Sequence, residues 1–417
     1  MRETKNTEFK ETLTNTFLKT VSAFANYNGG VIYFGVDDQG NIKGLPEIRQ
    51  ACLAIENKIN DSITPQPDYT LEILNDERVI RLTVKSGPLK PYLYKAKAYK
   101  RNDTATIEAD TLELTRLILE GKNLSFEELP CKVQELTFNV LGQKFKEHVH
   151  IDSFNLDTLK TLNLYNNDSG YNNAAGILAD HSPFPGIDMV KFGADISIIQ
   201  KRATFSHVSA LTAFAQALSI YRDYYQYEEV TGSNRIKVNR IPEESFREAI
   251  ANALIHRTWD VDAPVKVALF DDRIEITSPG GLPSGISEEE YLAGNLSILR
   301  NRNLANVFYR LGFVEIFGTG IPRIRQVYAE SLKQPLFKVS ENSLQIVLPV
   351  VEKNLNLSDD ERKIYGLLSR QTLKSISDIE PNTAFGKTKI TQLLKKLMNR
   401  GLVITEGNGR GTKYRLK

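Results

Sequence analysis

Cys52 and Cys131 are the only cysteines in the chain, too few and too far apart for a disulfide framework or a zinc site, and they read as ordinary thiols. No stretch approaches the roughly 18 apolar residues that span a bilayer. The opening MRETKNTEFKE has neither the apolar run nor the cleavage pattern of a secretory signal. These absences together predict a cytoplasmic protein with no membrane partner. No low-complexity tract occurs, and the composition is 41% hydrophobic and 25% charged, which leaves ample material to bury and no reason to expect long disorder. An excess of one charge is missing too, because 53 Lys and Arg nearly cancel 51 Asp and Glu, for a net +2.

What is present is length and a local concentration of charge. A chain of 417 residues exceeds one ordinary hydrophobic core and predicts two to four domains. From Lys387 to Lys417 nine Lys and Arg stand against the single Glu406, a local excess of +8, which is what a phosphate backbone attracts.

Phe17, Leu18, Val21, Phe24 and Ala25 recur at helical spacing and are stopped by Asn28-Gly29-Gly30, which predicts a helix ended by glycine. Val31 to Val36 reads as a buried strand before the turn DDQGN, and Tyr69 to Leu74 and Val79 to Val84 as strands flanking NDE, with a helix near Thr111 to Leu119. The pattern weakens from 123 to 235, where a helix over Ser206 to Tyr227 is the main signal. His148 and His150 alternate there in a strand-like segment, with no third ligand near enough to suggest a metal. The aromatics Tyr221 to Tyr227 and Trp259 read as packing. Beyond Pro242 come a helix Glu244 to His256, a hairpin Val265 to Thr277 turning at Asp271-Asp272, glycine-rich loops and a helix after Gly320. The polar stretch KNLNLS at 353–358 reads as a linker. Three helices, Asp359 to Ser369, Ser375 to Glu380 and Lys387 to Arg400, then precede a hairpin of Val403-Ile404 and Tyr414-Leu416 with EGNGRGT at its tip, a pattern that predicts a winged helix-turn-helix.

Glu248 and Asn252 are four residues apart on a predicted helix and so face one way. An amide oxygen at Asn252 suits Mg²⁺, and a carboxylate at Glu248 suits orienting or deprotonating water; the same spacing also suits a structural pair on a solvated face. Gly318 and Gly320 remove side chains where backbone N–H groups would meet phosphate ahead of a helix N-terminus.

The segments FREAIANALIHR, FDDRIEITSPGGLP and LRNRNLANVFYRLGFVEIFGTGIPRI resemble the RecG-like C-terminal domains of the GHKL ATPase class, over roughly residues 170 to 345. The resemblance implies an α/β sandwich that binds ATP with Mg²⁺. It makes Glu248 the catalytic carboxylate and Asn252 the metal ligand, with Gly280, Gly281, Gly318 and Gly320 around the nucleotide and His256 and Arg257 closing the helix. It implies a mobile lid from Leu282 to Phe317, in which Arg300 and Arg302 either meet phosphates or stay solvated. The chain departs from well-characterised members at one point: Ser278-Pro279 stands where they carry the adenine-binding aspartate.

At the other end, ETKNTEFKE, AFANYNGG, GVDDQG and AYKRND resemble the schlafen AlbA-like domain, over about residues 3 to 118. The resemblance implies a nucleic-acid-associated module, and its acidic trio maps to Glu3, Glu8 and Asp38, with Asp37 an alternative for the last; three such carboxylates suit Mg²⁺ or Mn²⁺ in a nuclease. The fold expected is thus α+β and multidomain, with an AlbA-like module at 1–122, an ATPase-like module at 123–350 and a winged helix at 357–417. The function expected is an ATP-binding transcriptional regulator that contacts DNA through Lys387, Lys389, Arg410 and Lys413 and forms a homo-oligomer; the alternative is a metal-dependent nuclease.

Overall fold

The apolar run at the N-terminal end becomes the helix Phe17–Asn26, buried on almost every side. Gly29, at φ +70°, ends it by donating its N–H to the Phe24 carbonyl at 3.0 Å, and at Gly30 a Cβ would lie 2.5 Å from the Phe24 ring. Asn28-Gly29-Gly30 is therefore both a left-handed stop and the point where the next strand crosses an aromatic ring. The computed structural model describes residues 2–417 except 75–77, 232–233, 284–285, 295–297, 316–317, 330, 352–356, 370–371 and 408. The chain divides into two units, Met1–Phe126 and Glu127–Lys417, both mixed α and β.

In the first unit a four-stranded sheet runs Thr7–Lys10, Gly30–Phe34, Val79–Val84, Tyr69–Leu74; the first pair is parallel and the others antiparallel. The helix Phe17–Asn26 lies in its core with Ile32, Phe34, Ile80, Leu82 and Val84. Polar groups on that helix are satisfied inward: Ser22 Oγ and Asn26 Nδ2 donate to the Tyr92 carbonyl at 2.7 and 2.8 Å, and Tyr92 N–H donates to Asn26 Oδ1 at 2.7 Å. The helix Thr111–Gly121 is fixed by a capping box of Asp110 and Glu113, and the additional helix Ile48–Ser62 buries only Ile55 and Ile59.

The second unit centres on a six-stranded sheet in the order Ile199–Phe205, Ile187–Phe192, Val265–Leu269, Arg273–Pro279, Ser343–Pro349, Leu336–Ser340, in which only Ile187–Phe192 and Val265–Leu269 are parallel. Period-two burial along Arg273–Pro279 buries Ile274 and Ile276 on one face of the strand, which packs with the helix Glu243–Ile255. Tyr221 and Tyr225 are fully buried, with their hydroxyls donating to the carbonyls of Ile241 and Phe270. His148 and His150 are not in a strand: His148 ends the helix Asn139–His148 and His150 sits at φ +58°, so the alternation of two histidines reflects a helix end followed by a turn.

Toward the C-terminus, the helices Asp359–Gly366, Ile376–Ile379 and Lys387–Asn399 and the antiparallel hairpin Val403–Glu406 and Lys413–Leu416 enclose a core of Ile364, Leu394, Leu397 and Leu416. Lys374 bridges to Tyr414 beside the hairpin. The stretch 353–358 falls largely outside the described residues, which resume at Leu357. Among the described residues no helix is long and apolar enough to cross a membrane.

Candidate functional site

The helix Glu243–Ile255 carries Glu248 and Asn252 on one face, as i, i+4 spacing requires, and Asn252 Nδ2 donates to Glu248 Oε1 at 3.1 Å. Glu248 is only 3% exposed. That burial pushes its carboxyl pKa up, against the opposing pull of Asn252 and of the Arg323 and Arg247 charges. The helix Gly320–Val327 passes directly over this pair. A Cβ on Gly320 would lie 2.6 Å from Glu248 Oε1 and 2.7 Å from Asn252 Nδ2, so glycine here is what lets backbone approach the carboxylate and amide. Gly318 stands at φ +72°, a conformation that a side chain disfavours.

The first glycine pair is held differently. Gly280, at φ +103°, would carry a Cβ 1.9 Å from Thr258 Oγ1, and its N–H donates to the Asn342 carbonyl at 2.9 Å. Ser278 Oγ donates to the Ala253 carbonyl at 2.8 Å, and Thr258 N–H to the Pro279 carbonyl at 2.9 Å. Arg300, half-buried, is tied to the protein: its guanidinium donates to the His256 carbonyl (2.7 Å), Thr258 Oγ1 (2.8 Å) and the Gly281 carbonyl (2.8 Å). Asn301 Nδ2 continues the tie to the carbonyls of Ile255 and Arg257 at 2.6 and 2.8 Å. Leu304, Ala305, Val307 and Phe308 of the helix Arg302–Arg310 are buried, and positions 284–285, 295–297 and 316–317 of the segment expected as a lid lie outside the described residues. Arg302 is exposed at the start of that helix. Arg257 is fully buried, donating to the carbonyls of Pro185 (2.5 Å) and Val261 (3.1 Å) over the Trp259 ring, and holds the loop after the helix.

These elements line a cleft, partly open to solvent, onto which Glu248, Asn252, Gly281, Gly318 and Gly320 converge from three separated segments. Gly280 lies just outside its lining. The remaining wall is mostly apolar, with Ile255, Leu282, Ile286 and Ile346 among its residues, and Tyr291 and Glu315 also border it. Neither residue stood out in the sequence, because no local pattern marks it.

His256 closes the wall. Burial pushes its pKa down to about 4, and the Arg300 charge acts in the same direction. The folded value lies below the unfolded value of about 6.5, so the folded state resists protonation, and the stabilisation present above pH 6.5 is lost as pH falls toward 4. Between pH 7 and pH 5 the protein is expected to lose about 2 kcal/mol that a His256→Gln variant does not lose. Equal losses in urea unfolding of the two proteins would show a solvated imidazole.

The N-terminal carboxylates do not converge on a metal. Glu8 is buried, with Oε2 accepting from Arg101 and from Thr20 Oγ1 (2.9 Å) and Oε1 2.6 Å from Lys10 Nζ. Glu3 Oε1 accepts the Phe9 N–H at 2.8 Å. Asp37 closes its own turn, accepting from Gln39 and Asn41 N–H at 3.0 and 2.8 Å, while Asp38 is exposed. Among the described residues no group of three or more His, Cys, Asp or Glu is placed to hold a metal ion. The acidic trio of the sequence is thus an internal ion pair, a strand tie and a surface residue.

In the C-terminal helices Lys387 lies 3.6 Å from Glu380, and Lys389 lies 2.7 Å from Asp360 and over the Phe385 ring. Lys413 is exposed. The Arg410 side chain lies outside the described residues.

Residues 3–110 match the family described as "Schlafen, AlbA_2", and residues 262–348 match the one described as "Putative ATP-dependent DNA helicase recG C-terminal". No curated protein matches the chain. Among solved structures, the DIP2311 protein from Corynebacterium diphtheriae is 18% identical, with a TM-score of 0.49 over 99% of this chain and 92% of that one. The N-terminal domain of a "Putative ATP-dependent DNA Helicase RecG-related Protein" from Nitrosomonas europaea is 21% identical, with a TM-score of 0.20 over 25% of this chain and 78% of that one. Both glycine segments of the cleft fall inside the second family match, and the Glu243–Ile255 helix precedes it. The chain therefore carries one segment similar to the schlafen AlbA_2 family and, further along, one similar to the RecG C-terminal, ATPase-like family.

Proposed function

We propose that this chain is a nucleotide-responsive, DNA-binding regulator of transcription that works as a homo-oligomer. The reading assigns residues 1–122 to a nucleic-acid-associated module, 123–350 to a nucleotide switch of the GHKL type and 357–417 to a winged helix. The observation that carries it is the convergence of Glu248, Asn252, Gly281, Gly318 and Gly320 on one cleft. An amide oxygen, a buried carboxylate and backbone freed of side chains form a donor set that fits Mg²⁺ and a triphosphate. Mg²⁺, when bound, neutralises phosphate charge. Asn252 would hold it through its amide oxygen. Glu248, whose burial makes it a stronger base than an exposed glutamate, would accept a proton from water in any slow hydrolysis.

Support for the winged helix is the order of three helices and a hairpin bridged to Lys374, with the charge excess at 387–417. Such a helix presents its first turn to the major groove, where DNA phosphates would replace the Glu380 and Asp360 partners of Lys387 and Lys389.

Titration calorimetry tests the nucleotide assignment. Asn252→Ala should remove the Mg²⁺-dependent part of ATP binding, and Glu248→Gln should keep binding while suppressing turnover, since an amide has the same shape but accepts no proton. Absence of binding in the unsubstituted protein would leave the cleft as a scaffold.

A further inference from the structure

We infer that His256 holds the base of a nucleotide bound in the cleft, its imidazole contacting the polar edge of adenine. This rests on the nucleotide reading and adds to it the residue that recognises the base. Glu248, Asn252 and His256 stand at i, i+4 and i+8, and all three border the cleft. The helix Glu243–Ile255 carries the first two. His256 caps that helix with its backbone still helical, at φ −92° and ψ −2°, and its N–H donates to the Asn252 carbonyl at 2.9 Å. The three side chains therefore form one row along the helix surface, each about 6 Å farther along the axis than the last.

The two ends of that row differ. At Gly320 the backbone closes on Glu248 and Asn252, where a Cβ would lie 2.6 and 2.7 Å from their side-chain atoms, so this is the end that suits metal and phosphate. His256 lies about 12 Å from Glu248 along the helix axis, which leaves room for the phosphate chain and the ribose between them. The His256 and Gly281 carbonyls accept from one guanidinium, that of Arg300, at 2.7 and 2.8 Å, and this sets His256 beside the first glycine pair. The residue is half-buried, and Ile255, Leu282 and Ile286 border the same cleft. An apolar wall with a few placed polar groups is what a small-molecule pocket uses: the wall covers the faces of a flat ring, and the polar group takes its edge. Burial and the Arg300 charge both disfavour the imidazolium, and a neutral imidazole carries one N–H donor and one bare acceptor nitrogen. Adenine presents the matching pair, an amino donor beside a ring-nitrogen acceptor.

The test is titration of the full chain with ATP and with tripolyphosphate, which keeps the charge and lacks the base, both in excess Mg²⁺. His256→Ala should weaken ATP binding by about ten- to a hundredfold, the cost of leaving a buried polar group unpaired, and should change tripolyphosphate binding by less than about twofold. His256→Gln keeps a donor and an acceptor and should recover most of the loss. In the unsubstituted protein carrying ¹³C-labelled histidine, ATP should also move the His256 ring signal, which is assigned by its disappearance in His256→Gln. Equal losses for the two ligands, unchanged ATP affinity in His256→Ala, or a ring signal unmoved at saturating ATP would overturn the inference and leave the nucleotide reading intact. Failure of the unsubstituted protein to bind ATP would overturn the nucleotide reading itself, and the inference with it.

Discussion

Replacing Glu8 with alanine is expected to destabilise the first unit by about 3–5 kcal/mol. Glu8 and Arg101 are 5% and 8% exposed, and their ion pair is supplemented by Thr20 and Lys10 on the carboxylate and by Thr106 Oγ1 (3.0 Å) and the Thr4 carbonyl (3.2 Å) on the guanidinium. Arg101 Nε already has no hydrogen-bond partner among the described residues. Removing the carboxylate would therefore leave a buried cation with neutral acceptors alone, and that uncompensated charge, more than the missing attraction, sets the cost. Glu8→Gln keeps an acceptor and should cost less. Glu8→Ala combined with Arg101→Met should recover much of the loss, because a well-packed apolar pair can replace a buried ion pair at little cost. Urea unfolding of the full chain, followed through the transition of the first unit, measures all three. A loss below about 1 kcal/mol for Glu8→Ala, the range of exposed pairs, would mean that water reaches the pair and that Glu8 is available for other chemistry.

The second large effect is expected at the C-terminal end. Substituting Lys387, Lys389, Arg410 and Lys413 by alanine together should weaken duplex-DNA binding severely. It should also flatten the plot of log affinity against log salt by about 0.9 for each phosphate no longer neutralised, roughly 3 to 4 in all. Lys387 and Lys389 carry Glu380 and Asp360 as partners. Asp360→Asn should accordingly tighten non-specific binding by releasing Lys389 from an ion pair that DNA must otherwise displace. Fluorescence anisotropy across a salt series reads both effects. An unchanged slope in the fourfold variant would reassign this segment to protein contacts and move DNA binding to the first unit.

The legibility of the fold in the sequence followed burial. The helix Phe17–Asn26 and the strands Tyr69–Leu74 and Val79–Val84 show plainly because each turns a regular set of apolar side chains to the core between turn residues, half-buried in Tyr69–Leu74 and buried in the other two. The helix Ile48–Ser62 does not, since Ile55 and Ile59 alone are fully buried while Ile48, Ala51 and Cys52 are only partly covered and Leu53 is exposed. The edge strand Ile199–Phe205 is exposed along most of its length and so carries no alternation to read. In the cleft, the spacing of Glu248 and Asn252 and the glycines were visible because they are local. The network that fixes them was not: Arg300 reaches back to His256 and Thr258, and the fully buried Glu127 accepts the N–H groups of Asn303 and Leu304 at 2.6 and 3.0 Å, capping a helix that lies far along the chain. Polar ties of that range leave no periodicity. The same reason explains why the contacts of Glu8 do not show in the sequence. Its partners Arg101 and Thr20 lie in other elements, and only the folded chain brings them together.

The central claim, that nucleotide in the cleft sets DNA affinity, is tested most directly by titrating a labelled DNA duplex into the protein with and without saturating Mg²⁺–ATP. The account predicts a shift in the dissociation constant of about 5- to 150-fold, the span of a coupling of 1–3 kcal/mol, and its disappearance in Asn252→Ala. Superimposable isotherms for the unsubstituted protein, under conditions where calorimetry shows the nucleotide bound, would contradict it.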